Sequence, residues 1–426
     1  MHKRLIIFLL VLISVSCVPA CTLSAPVTSD GSVPTMTTLR VWSQHDLTDQ
    51  SRTTSVLMQQ HVADFEAATG ISVEYEQIAW DQLAPKLALA VQSGGVVPDV
   101  VETGRQHIPT LFHVGALAAL DDLLAAETWV AELDERDSQS CIIDGHRYCV
   151  ANLVRGGITY YRASAFPDGF PETHSAWLDA GARLQAEGMY LSTFFAGRSY
   201  AAIEWAWAPW IYSNGGRIFD EQGRPAWATP EVAEVLDYAR TLFARGYLPA
   251  RIITGDIPTG ELPWIEGEAA SFRGGTWSFL YVPNLREGIE TDTVRVTGGL
   301  RFNDGSAYVF LNNESWIVPT GARNPTAAAA WISSLMQPDF LAAWSKAQFG
   351  IPTHPAAQAL PDFDTPFYQQ IMSILREQGR YMDRSPYYVE SMDTLAIAVQ
   401  EILLNPELDI QQRLQAAEVE ILQRYW

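Results

Sequence analysis

The stretch Phe65-Glu66-Ala67-Ala68-Thr69-Gly70-Ile71-Ser72-Val73 joins the end of a helical segment to the start of a strand. Met58, Val62 and Phe65 share one helical face, which predicts a helix over about 51–69 with Gly70 as its C′ residue. Residues 71–75 then alternate apolar and polar side chains, as a half-buried strand does. This junction between a helix and a strand indicates an α/β fold.

The segments on either side of this junction continue the alternation of strands and helices. Residues 39–42 predict a preceding strand, residues 80–92 a following helix, and residues 98–101 a third strand. This order is typical of an α/β lobe. Farther along, the patterns predict helices over 231–245, 324–336 and 410–424 and a strand over 315–319; Thr229 and Pro230 are the expected start of the first of these helices.

Length, composition and charge limit the class of protein. The chain has 426 residues, and a prior of about 150 residues per domain predicts two or three domains. Apolar residues make up 48% of the chain, which is enough for large cores. The 28 basic residues are outnumbered by 49 acidic ones, and this excess argues against nucleic acid or an anionic membrane surface as a partner.

Residues 1–20 have the pattern of a secretory signal peptide. A short basic head precedes the apolar run 5–15, which is too short to span a bilayer. A cysteine follows closely, which resembles a bacterial lipoprotein cleavage site, and we expect lipidation at Cys21 or, alternatively, at Cys17. An ordinary cleaved signal with incidental cysteines is the other interpretation. Residues 21–37, rich in Ser, Thr and Pro, are expected to form a flexible tether.

Two further cysteines flank a predicted hairpin. Cys141 and Cys149 lie on either side of Asp144-Gly145, a strong signal for a two-residue hairpin turn. Cross-strand neighbours can reach disulfide distance, and an exported protein permits the bond, so we predict a disulfide here. No metal site is predicted, since two cysteines without further ligands do not complete a zinc site.

Across about residues 38–426 the order of motifs resembles the extracellular solute-binding protein family that includes maltose-binding proteins. The resemblance begins with the opening stretch and continues through Ser93-Gly94-Gly95, Pro98-Asp99-Val100, Gly115-Ala116-Leu117, Leu120-Asp121-Asp122, Asp144-Gly145-His146-Arg147-Tyr148, Thr159-Tyr160-Tyr161-Arg162, Gly215-Gly216-Arg217-Ile218-Phe219-Asp220, Glu266-Gly267-Glu268-Ala269-Ala270 and Gly274-Gly275-Thr276-Trp277. One departure is Tyr161, where members of the family usually have Asn.

The resemblance implies a fold and a function. The fold is α/β, of the two-lobed periplasmic-binding-protein type (type II), with a hinge between the lobes and the ligand in the cleft. The N-terminal lobe is expected to comprise 38–153 plus about 278–325, and the C-terminal lobe 154–277 plus about 326–426. The implied function is that of a monomeric substrate-binding subunit of an ABC importer, which binds a sugar and delivers it to membrane permease subunits without catalysis, cofactor or metal.

Aromatic side chains are the first candidates for the ligand site, because a sugar ring presents an apolar face on which an aromatic ring can stack. Trp277 follows Gly274-Gly275 and matches a tryptophan that lies in the cleft of sugar-binding relatives. The segment that resembles the sugar-stacking stretch of these relatives contains three tryptophans, of which one or two are expected to contact the ligand and the rest to pack in the core: Trp205, Trp207 and Trp210. Weaker candidates are Trp80 and Trp316.

Polar candidates follow the strands, because open α/β sheets bind ligands at the carboxyl ends of their strands. Gln44 and His45 follow the first strand, and Glu102 and Arg105 follow the strand over 98–101. Two arginines complete the set and are able either to bind ligand or to pair with acidic residues. They are Arg155, in the first expected crossing between lobes, and Arg273, beside the Gly-Gly-Trp turn.

Three alternative functions stay open at this point. The protein could bind a different solute, such as a polyol phosphate, a peptide or a polyamine. A secreted carbohydrate-active enzyme is a second alternative, although no nucleophile elbow, zinc-protease helix, phosphate loop or dinucleotide fingerprint is present. The tandem tyrosines at 160–161 and 387–388 resemble those of ferric-ion binders, which makes iron binding the third.

Overall fold

The computed structural model describes residues 37–303 and 305–426. The strands in this part of the chain are β1 (Thr38–Ser43), β2 (Ser72–Gln77), β3 (Val100–Gly104), β4 (Ile142–Ile143), β5 (His146–Arg147), β6 (Val150–Arg162), β7 (Ser271–Gly275), β8 (Val294–Thr297), β9 (Val309–Ile317), β10 (Ile351–Pro352) and β11 (Gly379–Tyr381). The α-helices are α1 (Thr53–Thr69), α2 (Trp80–Gln92), α3 (Ile108–His113), α4 (Glu135–Gln139), α5 (His174–Ala186), α6 (Tyr200–Ala202), α7 (Ala208–Ser213), α8 (Pro230–Ala244), α9 (Ile257–Ile265), α10 (Ser278–Tyr281), α11 (Leu285–Glu290), α12 (Pro325–Leu335), α13 (Pro338–Ala347), α14 (Pro355–Gln358), α15 (Pro366–Gln378), α16 (Tyr388–Leu404) and α17 (Ile410–Tyr425).

The predicted helix signals mark real helix ends. Gly70 ends α1 in the left-handed conformation, with φ of 70°, and its N–H bonds back to the carbonyl of Glu66. The Thr229 side chain accepts a hydrogen bond from the backbone of Val232 at the start of α8. Among the described residues, none of the helices is both long enough and apolar enough to cross a membrane.

The strands form a mixed sheet around which the helices pack. Its main path runs β10-β6-β9-β3-β1-β2, with β1 parallel to both β2 and β3 and with β9 antiparallel to β3 and β6. The parallel β1–β3 pair and its helices form the α/β unit that the opening stretch predicts. The α/β class is therefore confirmed.

Two long strands, β6 and β9, connect this sheet to a second group of strands. The first half of β6 pairs with β9, whereas its second half pairs with β7 and β8. The start of β9 pairs with β11. Adjacent residues of β6 also contribute to different cores, since Tyr160 packs with one apolar cluster and Tyr161 with another. The chain therefore passes between the two strand groups within continuous strands.

Helices α12 and α13 pack against α1. The His61 ring lies 4.1 Å from the ring of Phe340 and 5.0 Å from that of Trp331, and Phe65 also contacts Trp331. This packing argues against the predicted return to the C-terminal lobe at about 326, because α12 and α13 bury their apolar faces on the first helix of the N-terminal lobe. The other predicted lobe boundaries stay predictions.

The predicted disulfide is present between Cys141 and Cys149, whose Cα atoms are 5.0 Å apart. The turn between β4 and β5 is formed by Asp144 and Gly145, both with positive φ, as a two-residue hairpin requires. The predicted signal peptide, the two cysteines proposed for lipidation (Cys17 and Cys21) and the tether up to residue 36 lie outside the described residues.

Candidate ligand-binding cleft

A cleft of about 640 Å³ lies where the two groups of strands meet. This volume is within the range of small-molecule binding sites. Six of the predicted residues line it together with polar side chains that the sequence did not single out. The predicted ones are Gln44, His45, Arg155, Trp205 and Trp277, with Trp80 at the start of α2 as a sixth; the further polar ones include Arg52, Gln106, Tyr200, Glu204, Asn312, Asn313, Glu314 and Gln348.

Trp205 and Trp277 form an aromatic wall of the cleft. Their ring centroids are 4.1 Å apart and the rings are nearly perpendicular, while Trp205 also meets Phe310 edge-on at 4.5 Å. Both indoles are partly exposed. Trp277 can fold back over the preceding backbone because position 275 is glycine; a Cβ there would lie 1.7 Å from the indole. The pair therefore offers an apolar surface that faces the cleft.

The structure does not bring Trp207, Trp210 or Trp316 to the cleft. Trp207 is completely buried, and Trp210 packs against His174 and Trp177 in the core around α8. Trp316 is completely buried on the central strand β9. All three indoles therefore pack in the core. For Trp207 and Trp210 this is the alternative that the sequence left open for part of the segment, whereas the placement of Trp316 at the ligand site is corrected. Trp205 lies in the same segment, within the π-helical turn over Ile203–Trp207, but is partly exposed and lines the cleft.

Glu102 lies beneath the cleft, fully buried. Its Oε2 accepts hydrogen bonds from the Ser43 hydroxyl and from the Gln44 backbone N–H, the latter at 3.2 Å. His45 Nε2 lies 3.3 Å from its Oε1. Burial acts to raise the pKa of Glu102, but His45 and these hydrogen bonds outweigh burial and hold the pKa below its usual range. The carboxylate is therefore ionised and organises the residues that follow β1.

Arg155 and Glu314 form a buried ion pair at the cleft wall. Arg155 Nη2 lies 2.7 Å from Glu314 Oε1 and donates a 2.6 Å hydrogen bond to Gln348 Oε1. Burial raises the pKa of Glu314, Arg155 opposes this rise, and the nearby Glu102 adds to it. Arg155 is thus held by an acid and an amide and presents little free charge to a ligand. Glu314 was missed because it precedes the apolar run from which the strand was predicted.

Arg105 and Arg273 do not line the cleft. The Arg105 guanidinium lies 5.0 Å over the ring of Tyr381, and burial lowers its pKa. Arg273 donates a 3.1 Å hydrogen bond to the carbonyl of Ala206 and lies 4.7 Å over the ring of Trp210; burial lowers its pKa to about 9. Arg273 therefore supports the segment that carries Trp205, from behind the cleft.

Glu204 is a second buried acid at the cleft that the sequence did not reveal. It lies within the apolar segment Ile203–Trp207, where nothing in the pattern distinguishes it. Burial raises its pKa to about 8, against a hydrogen bond from Tyr388 and the charge of Arg105. At neutral pH the carboxyl group is largely protonated and is able to donate a hydrogen bond.

The tandem tyrosines do not form a shared site. Tyr160 is fully buried and donates a 2.9 Å hydrogen bond to the carbonyl of Gly275, and Tyr161 packs in the other core. Tyr388 is buried beside Glu204. None of these three side chains lines the cleft.

Comparisons with known proteins agree on the family. The model of a family described as bacterial extracellular solute-binding protein matches residues 60–369. A curated relative, named probable amino-acid ABC transporter periplasmic-binding protein y4oP of Sinorhizobium fredii (strain NGR234), is 27% identical over 179 residues. That match covers 39% of this chain and only 41% of the relative.

Solved structures share the fold over most of the chain. Maltose-bound MalE3 of T. maritima has a TM-score of 0.77 at 17% identity, covering 90% of this chain and 99% of its own. The GacH receptor of Streptomyces glaucescens GLA.O, solved with and without acarbose, gives 0.76 at 14%, with 91% and 98% covered. A solute-binding protein from Thermotoga lettingae TMO bound with α-D-tagatose gives 0.74 at 20%, with 90% and 98% covered. These likenesses confirm the predicted two-lobed fold.

Proposed function

Because the chain belongs to the bacterial extracellular solute-binding protein family, we propose that it is the substrate-binding subunit of an ABC importer and that its cleft captures a sugar. The observation that carries the proposal is the wall formed by Trp205 and Trp277. A perpendicular pair of indoles offers both a face and an edge to the apolar side of a pyranose ring.

Polar groups around this wall support a sugar ligand. Gln44, Asn312 and Gln348 bring amide groups to the cleft, and amides pair both as donors and as acceptors with hydroxyl groups. Protonated Glu204 adds a neutral donor. The two arginines that line the cleft are both paired with acids, Arg155 with Glu314 and Arg52 with Asp49. An anionic solute such as a polyol phosphate therefore gains less here than a neutral sugar.

The relatives differ in the solutes for which they are named. The structures named above were solved with maltose, acarbose or tagatose, whereas the curated relative is named for amino acids. An amino acid needs charged partners for its ammonium and carboxylate groups, and in the cleft Arg155 and Glu314 are already paired with each other. The aromatic surface therefore favours the sugar.

We extend the proposal to the place of the protein in the cell. A lipid on Cys21, or on Cys17, would tether the folded part to the outer face of the membrane through residues 21–37. Ligand that contacts both lobes would stabilise a closed form, which would be presented to the permease subunits. The protein would act as a monomer that binds and releases its solute without chemistry.

The test is a thermal-shift screen of monosaccharides, oligosaccharides and the common amino acids, followed by calorimetric titration of each hit. We expect stoichiometric binding of a sugar without turnover, and Trp277→Ala should weaken it at least about tenfold. Trp426→Ala is the matched control, because Trp426 is an exposed indole outside the cleft.

Three results would count against the proposal. Full affinity in Trp277→Ala would remove the cleft wall as the binding site. Stabilisation by amino acids alone would replace the sugar as ligand. Release of a cleaved product from the sugar, followed by chromatography, would make the protein an enzyme.

A further inference from the structure

Three side chains that could bind a metal ion converge at the base of the cleft. His45 follows β1, Glu102 lies on β3 and Glu314 on β9, three strands that are neighbours in the sheet. One ligand atom from each lies within 4.8 Å of the others. Strand pairing places the two glutamates on adjacent strands, because Gly104 and Glu102 of β3 pair with Glu314 and Trp316 of β9. The positions of the three side chains are thus set by the pairing of β1, β3 and β9.

Each of these side chains has a buried polar atom without a hydrogen-bond partner. The atoms are His45 Nε2, Glu102 Oε1 and Glu314 Oε2. Glu102 is fully buried, and Glu314 is 5% exposed. Two carboxylates that approach each other out of water are costly unless their free oxygens meet a cation or a donor. The His45 imidazole, 3.3 Å from Glu102 Oε1, is therefore the group that these free carboxylate oxygens share.

The other polar atoms of the same side chains are already held. Glu102 Oε2 accepts from Ser43 and Gln44, and Glu314 Oε1 is bound by Arg155. The His45 ring packs edge-on against Trp344, with centroids 4.6 Å apart. Metal ligands are typically oriented in this manner, by hydrogen bonds and packing behind the coordinating atoms. The free atoms are therefore presented in a defined arrangement.

We propose that His45, Glu102 and Glu314 bind a divalent transition-metal ion of the zinc class. One imidazole nitrogen and two carboxylate oxygens are a common ligand set for zinc. Two ligands bound at about 2.1 Å to a tetrahedral zinc ion lie about 3.4 Å from each other. The 3.3 Å between His45 Nε2 and Glu102 Oε1 matches this spacing.

The position of the site gives the metal a fourth ligand from the cleft. His45 and Glu314 line the cleft, while Glu102 lies beneath them. A tetrahedral ion held by three protein atoms keeps one position for water or for an oxygen of the solute. The metal would thus form part of the floor of the binding site. Binding of the ion itself does not depend on which solute the protein carries.

The experiment measures zinc uptake by full-length protein that has been dialysed against EDTA, with free thiols blocked by iodoacetamide. Calorimetric titration with ZnCl₂ should give one tight equivalent. His45→Gln, Glu102→Gln and Glu314→Gln should each weaken this equivalent at least about tenfold, since each removes one of three protein ligands. Unfolding midpoints of the metal-free variants show whether each one is folded.

The matched control is His146→Gln. His146 also lies 3.3 Å from a carboxylate, that of Asp121, but this pair is exposed. The control variant should keep the tight equivalent. A second measurement, the visible absorption spectrum with Co²⁺ in place of zinc, needs no variant. Tetrahedrally coordinated Co²⁺ should give intense absorption bands in the visible range.

Two results would overturn the proposal. The first is a wild-type protein that takes up no tight Zn²⁺ and gives no Co²⁺ bands. The second is a tight equivalent that persists in all three ligand variants while they remain folded. Solute binding by metal-free protein is measured in its own titration. It would support the proposed function whatever the outcome of the zinc titration.

Discussion

Tyr388 donates a 2.7 Å hydrogen bond to Glu204 beside the cleft, and both side chains are almost completely buried. Burial raises the pKa of Glu204 from its ordinary value of 4.5 to about 8. An acid whose pKa is higher in the folded than in the unfolded protein binds its proton more tightly when folded. Its contribution to stability is therefore complete below about pH 4.5 and is lost as the pH rises through about 8.

Glu204→Gln should remove this pH dependence, because glutamine can still accept from Tyr388 but cannot ionise. Between pH 5 and pH 8 the wild type should lose up to about 1.4 kcal/mol of unfolding free energy per pH unit relative to the variant. Urea unfolding of both proteins across this range measures the difference. Parallel stability curves would show that Glu204 does not titrate in this interval.

Gly275→Ala should weaken solute binding although it removes no contact atom. The added Cβ would lie 1.7 Å from the Trp277 ring, which must then swing away from Trp205. Loss of the aligned pair should weaken the ligand at least about fivefold, because such contacts contribute about 1 kcal/mol. Gly157→Ala is the control on the paired strand, since its Cβ would have no neighbour nearer than 3.6 Å. Equal affinities in the two variants, by calorimetry, would contradict the role assigned to Gly275.

Arg155→Met should destabilise the protein by about 3 kcal/mol, because it leaves the Glu314 carboxylate buried without its partner. The double variant Arg155→Met/Glu314→Gln should lose less than the single one, since the unpaired charge is gone. Urea unfolding in EDTA measures both variants without any contribution from metal. If the double variant loses as much unfolding free energy as the Arg155→Met and Glu314→Gln single variants lose together, the pair is not coupled.

Removing the disulfide should lower the unfolding free energy by about 2–3 kcal/mol, the loop entropy expected for a separation of 8 residues. The double variant Cys141→Ala/Cys149→Ala avoids placing hydroxyl groups in the apolar surroundings of these buried sulfurs. Guanidinium unfolding compares it with the wild type. Reduction of the wild type should give the same change, and an unaltered midpoint in both experiments would contradict the prediction.

Elements with strong local signals were predictable from sequence. The turn at Gly70 and the start of α8 at Pro230 each rest on a cap that needs no distant partner. The strand predicted over 315–319 instead runs from Val309 to Ile317. Its first half escaped prediction because Asn312, Asn313 and Glu314 interrupt the apolar pattern, and they do so because they face the cleft and its polar contacts.

The cleft was predictable only in part. Trp277 and Trp205 reach it as expected, but nothing local separates Trp205 from Trp207 and Trp210 in the same apolar segment. The separation appears only in three dimensions, where Trp205 meets Phe310 of β9 and Trp207 and Trp210 pack in the core with residues of α8. Glu204 was not predicted for the same reason. Its burial and its hydrogen bond from Tyr388 depend on a residue that is distant in the sequence.

The continuity of β6 and β9 has a consequence for how the protein folds. Because β6 pairs with β9 in its first half and with β7 and β8 in its second, and because Tyr160 and Tyr161 pack in different cores, we expect the two groups to form together. β6 and β9 are moreover separated by more than a hundred residues, so their pairing closes a long loop of the chain. We therefore expect the two halves of the molecule to unfold as one cooperative unit.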